Sequence, residues 1–129
     1  MGVFTYPIEI GASPDGPFLR FDAFVDSGAF YSQVPTSVLK SLGVEVTDRA
    51  VFAMADGSRV ESDLGTVRIR IDGRENWTIC VFAEEGTPAL LGAYALEAFL
   101  LGVDPVAKRL IRVEGVMLHR RPEAERTNE

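Results

Sequence analysis

The sequence holds a single cysteine, Cys80, so no disulfide can form within the chain. It holds a single histidine, His119, and one Cys with one His is too few for a transition-metal ligand set. A serine-hydrolase reading fails on the same scarcity. The chain has no G-x-S-x-G, and His119 lies in a charged C-terminal stretch where a solvated surface histidine is the ordinary expectation. No Gly-rich phosphate loop appears. Basic residues are few, 13 Lys and Arg against 19 Asp and Glu, for a net charge of -6. That balance argues against a nucleic-acid partner, because phosphate binding needs a basic surface. No apolar run approaches the roughly 20 residues needed to span a bilayer. The first ten residues lack the basic start and apolar core of a signal peptide. The expectation is a cytoplasmic protein with neither a membrane nor a nucleic-acid partner.

What is present fits one domain. A chain of 129 residues is long enough for a real core and too short for two ordinary domains. Apolar residues make up 47% against 25% charged, the balance of a soluble globular chain. Val3 to Ile10 reads as a strand with a proline, suited to an edge or bulge. Gly11 to Pro17 is dense in turn formers. Leu19, Phe21, Ala23 and Val25 then share one face of a second strand, with Arg20 and Asp22 on the other. Pro35 to Leu42 predicts a short helix stopped at Gly43, and Val44 to Val46 resumes extended structure. Ala50 to Met54 and Ser58 to Ser62 flank Ala55-Asp56-Gly57, a hairpin signal. Thr66 to Ile71 alternates cleanly, with Val67, Ile69 and Ile71 on one face and Arg68 and Arg70 on the other. Asp72-Gly73 predicts a further turn. Trp77 to Phe82 is apolar on both faces and reads as a central strand that buries Cys80 as an inert thiol. Ala89 to Leu91 reads as a short strand ending at Gly92. A helix from about Ala93 to Leu101 follows, with Leu96, Phe99 and Leu100 as its apolar stripe and Gly102 closing it. Val103-Asp104 and Arg109 to Val113 read as a last hairpin turning at Pro105 to Lys108, and from Arg120 charge and proline predict a disordered tail. Many short strands, two short helices and frequent turns predict a small, mostly β closed sheet or barrel.

One stretch carries chemistry. Asp26-Ser27-Gly28-Ala29 ends the strand Phe18 to Val25, an arrangement that presents a carboxylate at a tight turn. The run Phe24-Val25-Asp26-Ser27-Gly28-Ala29, with Ser32 three residues after the alanine, resembles the catalytic loop of the retropepsin-like aspartic proteases. Downstream, Ala89-Leu90-Leu91-Gly92 before a helical run resembles the family's apolar-apolar-Gly signature. Between them, Phe52 to Ser58 with Val60 resembles its flap hairpin. The resemblance spans about residues 4 to 113. It implies a retropepsin-like domain over 1–115, a small closed β-barrel of the acid-protease type with two short helices, and a charged tail over 116–129.

The resemblance also implies roles. Asp26 would be catalytic. Ser27 would hydrogen-bond between two loops near a symmetry axis, Gly28 would admit the substrate backbone and Ala29 would line the cleft. Met54, Ala55, Asp56, Gly57 and Ser58 would close over substrate. Leu90, Leu91 and Gly92 would support the catalytic loop from behind. Hydrolysis of this kind uses two carboxylates that share one proton across a water. The chain has only one Asp-Ser-Gly; Asp56-Gly57, Asp63-Leu64-Gly65 and Asp72-Gly73 lack the hydroxyl residue and the strand-to-turn setting. A dyad therefore requires two copies of the chain, with Asp26 of each meeting at a two-fold axis. The expected partners are a peptide or protein substrate and a second copy, with no cofactor and no metal. Four features depart from the family: Tyr94 where Asp or Asn often stands, Phe30 and Tyr31 where viral members carry acidic residues, a single tip glycine at Gly57, and termini that do not match an interleaved dimer sheet. The departures near Phe30 and Tyr94 keep a second reading open, a dimeric peptide-binding or scaffold module of the same fold whose Asp26 is silent.

Overall fold

The computed structural model describes residues 4–115. The expected tail over 116–129, with His119, and the start of the first strand at Val3 lie outside the described residues. Nine strands and two helices follow one another as β1 Thr5–Gly11, β2 Phe18–Val25, β3 Ser32–Pro35, α1 Thr36–Ser41, β4 Asp48–Ala53, β5 Arg59–Ile71, β6 Arg74–Ala83, β7 Leu90–Leu91, α2 Ala93–Ala98, β8 Leu101–Asp104 and β9 Arg109–Arg112. The larger sheet runs β1-β2-β7-β3-β6-β5-β4, and β1 also pairs with β5. The pairing circuit β1-β2-β7-β3-β6-β5 thus returns on itself, leaving β4 outside it as an edge. β8 and β9 form a separate two-stranded sheet. Among the described residues no helix is long and apolar enough to cross a membrane.

Closing a sheet gives each strand one inward face, and period-2 sequences fill it. In β5, Val67, Ile69 and Ile71 are buried, while Arg68 and Arg70 stay outside. The two arginines converge on Glu75 of β6, with Nε to carboxylate distances of 2.7 and 2.9 Å. Ile8 and Ile10 of β1, Ala23 and Val25 of β2, Val34 of β3, Cys80 and Phe82 of β6 and Leu91 of β7 share the interior with Leu39 of α1, Leu96 of α2 and Phe99 just after it. Ile71 pairs with Arg74 across the two-residue turn Asp72-Gly73. Both turn residues have positive φ, 52° and 78°. This is the turn chemistry an Asp-Gly pair is suited to, because its twist matches that of the flanking strands.

Several expectations shift in the structure. The expected segments Ser58 to Ser62 and Thr66 to Ile71 fall, from Arg59 on, within one 13-residue strand, β5. Gly65 is not a break within it. A Cβ there would meet the Glu45 carbonyl oxygen at 2.7 Å, so the glycine marks a close backbone approach. Val44 to Val46 forms no strand, although Val44 is buried. Trp77 is 44% exposed and does not fill the core; the Arg68 guanidinium lies over its ring at 4.8 Å. Leu19 at the start of β2 is also exposed. The second helix ends at Ala98, short of Leu101. Arg74 Nη1 donates to the Phe99 carbonyl at 2.6 Å and Asn76 Nδ2 to the Ala98 carbonyl at 3.3 Å. Two donors from β6 thus satisfy the last carbonyls and stop the helix. Leu100 then turns outward with φ 53°, so it is exposed and not part of the apolar stripe, and Gly102 lies in β8.

Cys80 is fully buried, and that burial pushes its thiol up to about 12. In the unfolded chain a thiol ionises near 8.5. The folded value is the higher one for an acid, so unfolding releases a proton above that pH and stability falls as pH rises from about 8.5 toward 12. A thiol reagent at pH 8 should leave the native protein unmodified and react promptly in concentrated urea. Rapid native labelling would contradict this placement.

Candidate active site

β2 delivers Asp26 to the surface by simple alternation. Ala23 and Val25 point inward, and Phe24, between them, is 43% exposed. β7 runs parallel beside β2, pairing Leu90 with Phe24 and Leu91 with Val25. The Asp26 amide continues this ladder by donating to the Leu91 carbonyl at 3.0 Å. The chain then turns. The Ala29 amide donates to the Asp26 carbonyl at 3.2 Å, and the Gly28 amide donates to Asp26 Oδ1 at 2.9 Å. Asp26 is half-buried, while Ser27 and Gly28 are exposed. One carboxylate oxygen is thus oriented by the loop itself.

The loop is clamped from behind. A Cβ on Gly92 would meet the Tyr31 carbonyl carbon and oxygen at 2.7 Å and the Ala29 oxygen at 3.0 Å, so no side chain fits there. The next two amides bond the same loop: Ala93 N to the Ala29 carbonyl at 2.8 Å and Tyr94 N to the Phe30 carbonyl at 2.9 Å. The Gly92 amide itself is buried and donates to Ser32 Oγ at 3.0 Å. The first amides of a helix have no partner within it, and here α2 gives its own to the Asp26 loop. Tyr94 ties the helix to the loop through its backbone and through its ring. The ring centroid lies 5.6 Å from that of Tyr31.

Tyr31 also reaches the hairpin that rises beside the loop. Its ring meets Phe52 of β4 edge-on at 6.1 Å and lies 4.7 Å from Phe30. The hairpin joins β4 to β5 through Met54, Ala55, Asp56, Gly57 and Ser58, all exposed. Met54 N donates to the Ser58 carbonyl at 2.8 Å, and Gly57 has φ 88°. Asp56 Oδ1 accepts from Ser58 N at 2.8 Å and from Ser58 Oγ at 2.6 Å. The Ser58 hydroxyl, then its amide, hold the Asp56 carboxyl below its ordinary range. The tip is therefore organised around its own carboxylate. Between hairpin, loop and β6 lies a cleft of about 500 Å³, with Ala29, Tyr31, Phe52, Val81 and Thr87 in its lining; Asp26 stands outside it.

The other carboxylates beside glycines are engaged elsewhere. Asp56 serves the hairpin tip, Asp63 pairs with Arg49 at 3.0 Å and Asp72 accepts from the Tyr6 hydroxyl at 2.7 Å. Among the described residues no group of three or more His, Cys, Asp or Glu side chains is placed to hold a metal ion.

This architecture has solved counterparts. EIAV protease in complex with an inhibitor matches with a TM-score of 0.53 at 18% identity, covering 83% of this chain and 90% of that one. Simian foamy virus (mac) protease matches with a TM-score of 0.50 at 17% identity, covering 71% and 92%. A retropepsin-like aspartic protease from Rickettsia conorii matches at 19% identity with a TM-score of 0.47, covering 78% and 84%. No protein-family model matches the chain, and no curated protein does. The chain has the retropepsin-like fold.

The structure thus brings Asp26 against Leu91 and Ala29 against Gly92, leaves Ser27 and Gly28 exposed between them, and stands the 54–58 hairpin beyond Tyr31. Sequence reasoning missed the part played by Ser32, whose signal was its place three residues after Ala29. It also missed the ring cluster joining Tyr31, Phe52 and Tyr94, for which no local signal exists. Ser32→Ala would leave the buried Gly92 amide without its acceptor, and a loss of about 1–3 kcal/mol in urea-unfolding stability is expected. A change within about 0.5 kcal/mol would show that the loop does not depend on this bond.

Proposed function

We propose that the protein is an aspartic endopeptidase that works as a homodimer, its site completed when Asp26 of one copy faces Asp26 of another. The observation that carries this reading is the Asp26-Ser27-Gly28 loop itself, presented at the surface with its carboxylate oriented by Gly28 N and its back clamped by Gly92. The fold shared with the viral proteases supports it. Ser27 and Gly28 are exposed, and Phe24 and Phe30 beside them are 43% and 64% exposed, an apolar surface suited to a second copy.

In the proposed dimer the two carboxylates hold one proton and one water between them, because two ionised carboxylates at that distance repel strongly. The ionised Asp26 takes a proton from the water, whose oxygen attacks the scissile carbonyl carbon. The protonated Asp26 gives its proton to the carbonyl oxygen, producing a tetrahedral diol. Collapse of the diol breaks the C–N bond, and the departing nitrogen receives a proton from the pair. The acidity belongs to the pair and not to one residue.

The remaining residues take supporting parts. Ser27 hydrogen-bonds across the axis, Gly28 lets the substrate backbone approach and Ala29 lines the cleft. Leu90, Leu91 and Gly92 hold the loop in place. The hairpin from Met54 to Ser58 folds over an extended peptide, which binds by backbone hydrogen bonds and alternate side-chain pockets. Residues 1–115 are assigned to the protease domain, and the setting is cytoplasmic. No metal or organic cofactor enters the reaction.

Wild type is expected to cleave a peptide mixture at mildly acid pH, and a statine-bearing peptide, which mimics the diol, should block it. Asp26→Asn should lower the rate roughly a hundredfold to ten-thousandfold while the protein stays folded. Equal rates for the two proteins, or no cleavage by either across the pH range with no effect of statine, would leave a silent peptide-binding module instead.

A further inference from the structure

The cleft beside the Asp26 loop has an aromatic wall and an acidic rim. Tyr31 forms the wall with Phe52, and Tyr31 is held in turn by Tyr94. Rings locked by one another lose little freedom when a further apolar group joins them. Phe30, Met54 and Val60 stand around the opening at 64%, 48% and 40% exposure, three large apolar side chains left in water on one side of the molecule. A volume of about 500 Å³ falls within the range of small-ligand sites and exceeds one aromatic side chain.

The rim carries charge of mainly one sign. Among the described residues, Glu61, Asp63 and Glu84 line it together with a single cation, Arg49. Arg49 is already held by Glu61 at 3.1 Å and by Asp63 at 3.0 Å. Glu84 differs from its neighbour Glu85, which accepts from Ser37 N at 2.9 Å and from Ser37 Oγ at 2.6 Å and so serves α1. Three carboxylates against one guanidinium, on a chain of net charge -6, favour a cationic guest.

We infer that this cleft selects the peptide, taking an aromatic or large aliphatic side chain against Tyr31 and Phe52 and a lysine or arginine beside Glu61, Asp63 and Glu84. The inference rests on the proposed peptide hydrolysis for the guest being a peptide, and adds the chemistry of its side chains.

The test is equilibrium binding of fluorescein-labelled decapeptides to the Asp26→Asn protein, which separates recognition from cleavage. Four pools are compared: a central Phe flanked by Arg, a central Phe flanked by Gln, and the same two with Ala in place of Phe. Replacing Phe by Ala should weaken binding about tenfold or more. Replacing Arg by Gln should weaken it about threefold, and that preference should fade in 0.5 M salt. A protein carrying Glu61→Gln and Glu84→Gln should lose the preference for Arg and keep that for Phe. Equal binding of all four pools overturns the inference even if wild type cleaves peptides. The stated preferences without any cleavage by wild type uphold the pocket and remove the protease reading. No binding and no cleavage overturns both.

Discussion

The contact between Gly92 and the Asp26 loop is the constraint on which the site depends. The loop must leave a buried strand, turn within a few residues and hold a carboxylate at a fixed angle in the open. Short loops do this only when something stiff stands behind them. Here the stiff element is the start of α2, which meets the loop backbone to backbone with no side chain between. Three successive amides, Gly92, Ala93 and Tyr94, are spent on Ser32, Ala29 and Phe30. The same helix packs Leu96 into the core, with Phe99 directly after it, so the loop is referenced to the interior of the molecule and not to its surface.

In the proposed mechanism a loop with one carboxylate is half of a hydrolytic device. The geometry gives Asp26 one oriented oxygen and leaves Ser27 and Gly28 in the open, while the neighbouring cleft stops short of the carboxylate. In the proposed homodimer, two-fold symmetry would supply the missing half by repeating what is already built. On this account the rings around Tyr31 tie the loop to the stem of the hairpin and to α2, so that the parts a substrate would touch share one support.

Much of this was legible in the residues, and the reasons are local. Asp26 follows a strand whose alternation is strict from Phe21 to Val25, so its place on the side away from the core follows from counting. The Asp72-Gly73 turn and the buried face of β5 were legible for similar reasons, one from turn chemistry and one from period. What was misread depends on partners distant in sequence. Trp77 is apolar, yet Arg68 on the neighbouring strand covers its ring at the surface. α2 stops early because Arg74 and Asn76 of β6 take its last carbonyls, which no pattern within the helix reveals. Gly65 lies where the Glu45 carbonyl and the Phe82 and Val44 side chains press close, which nothing local to it reveals. The cleft was invisible because Tyr31 and Phe52 lie on different elements and meet only in the fold.

Sedimentation equilibrium of the full chain over a wide concentration range tests the dependence of this site on a second copy most directly. A mass that rises toward twice 14.1 kDa, with peptide cleavage rising in step, is the predicted result. A species that stays at 14.1 kDa at every concentration, whether or not it cleaves, would contradict the account.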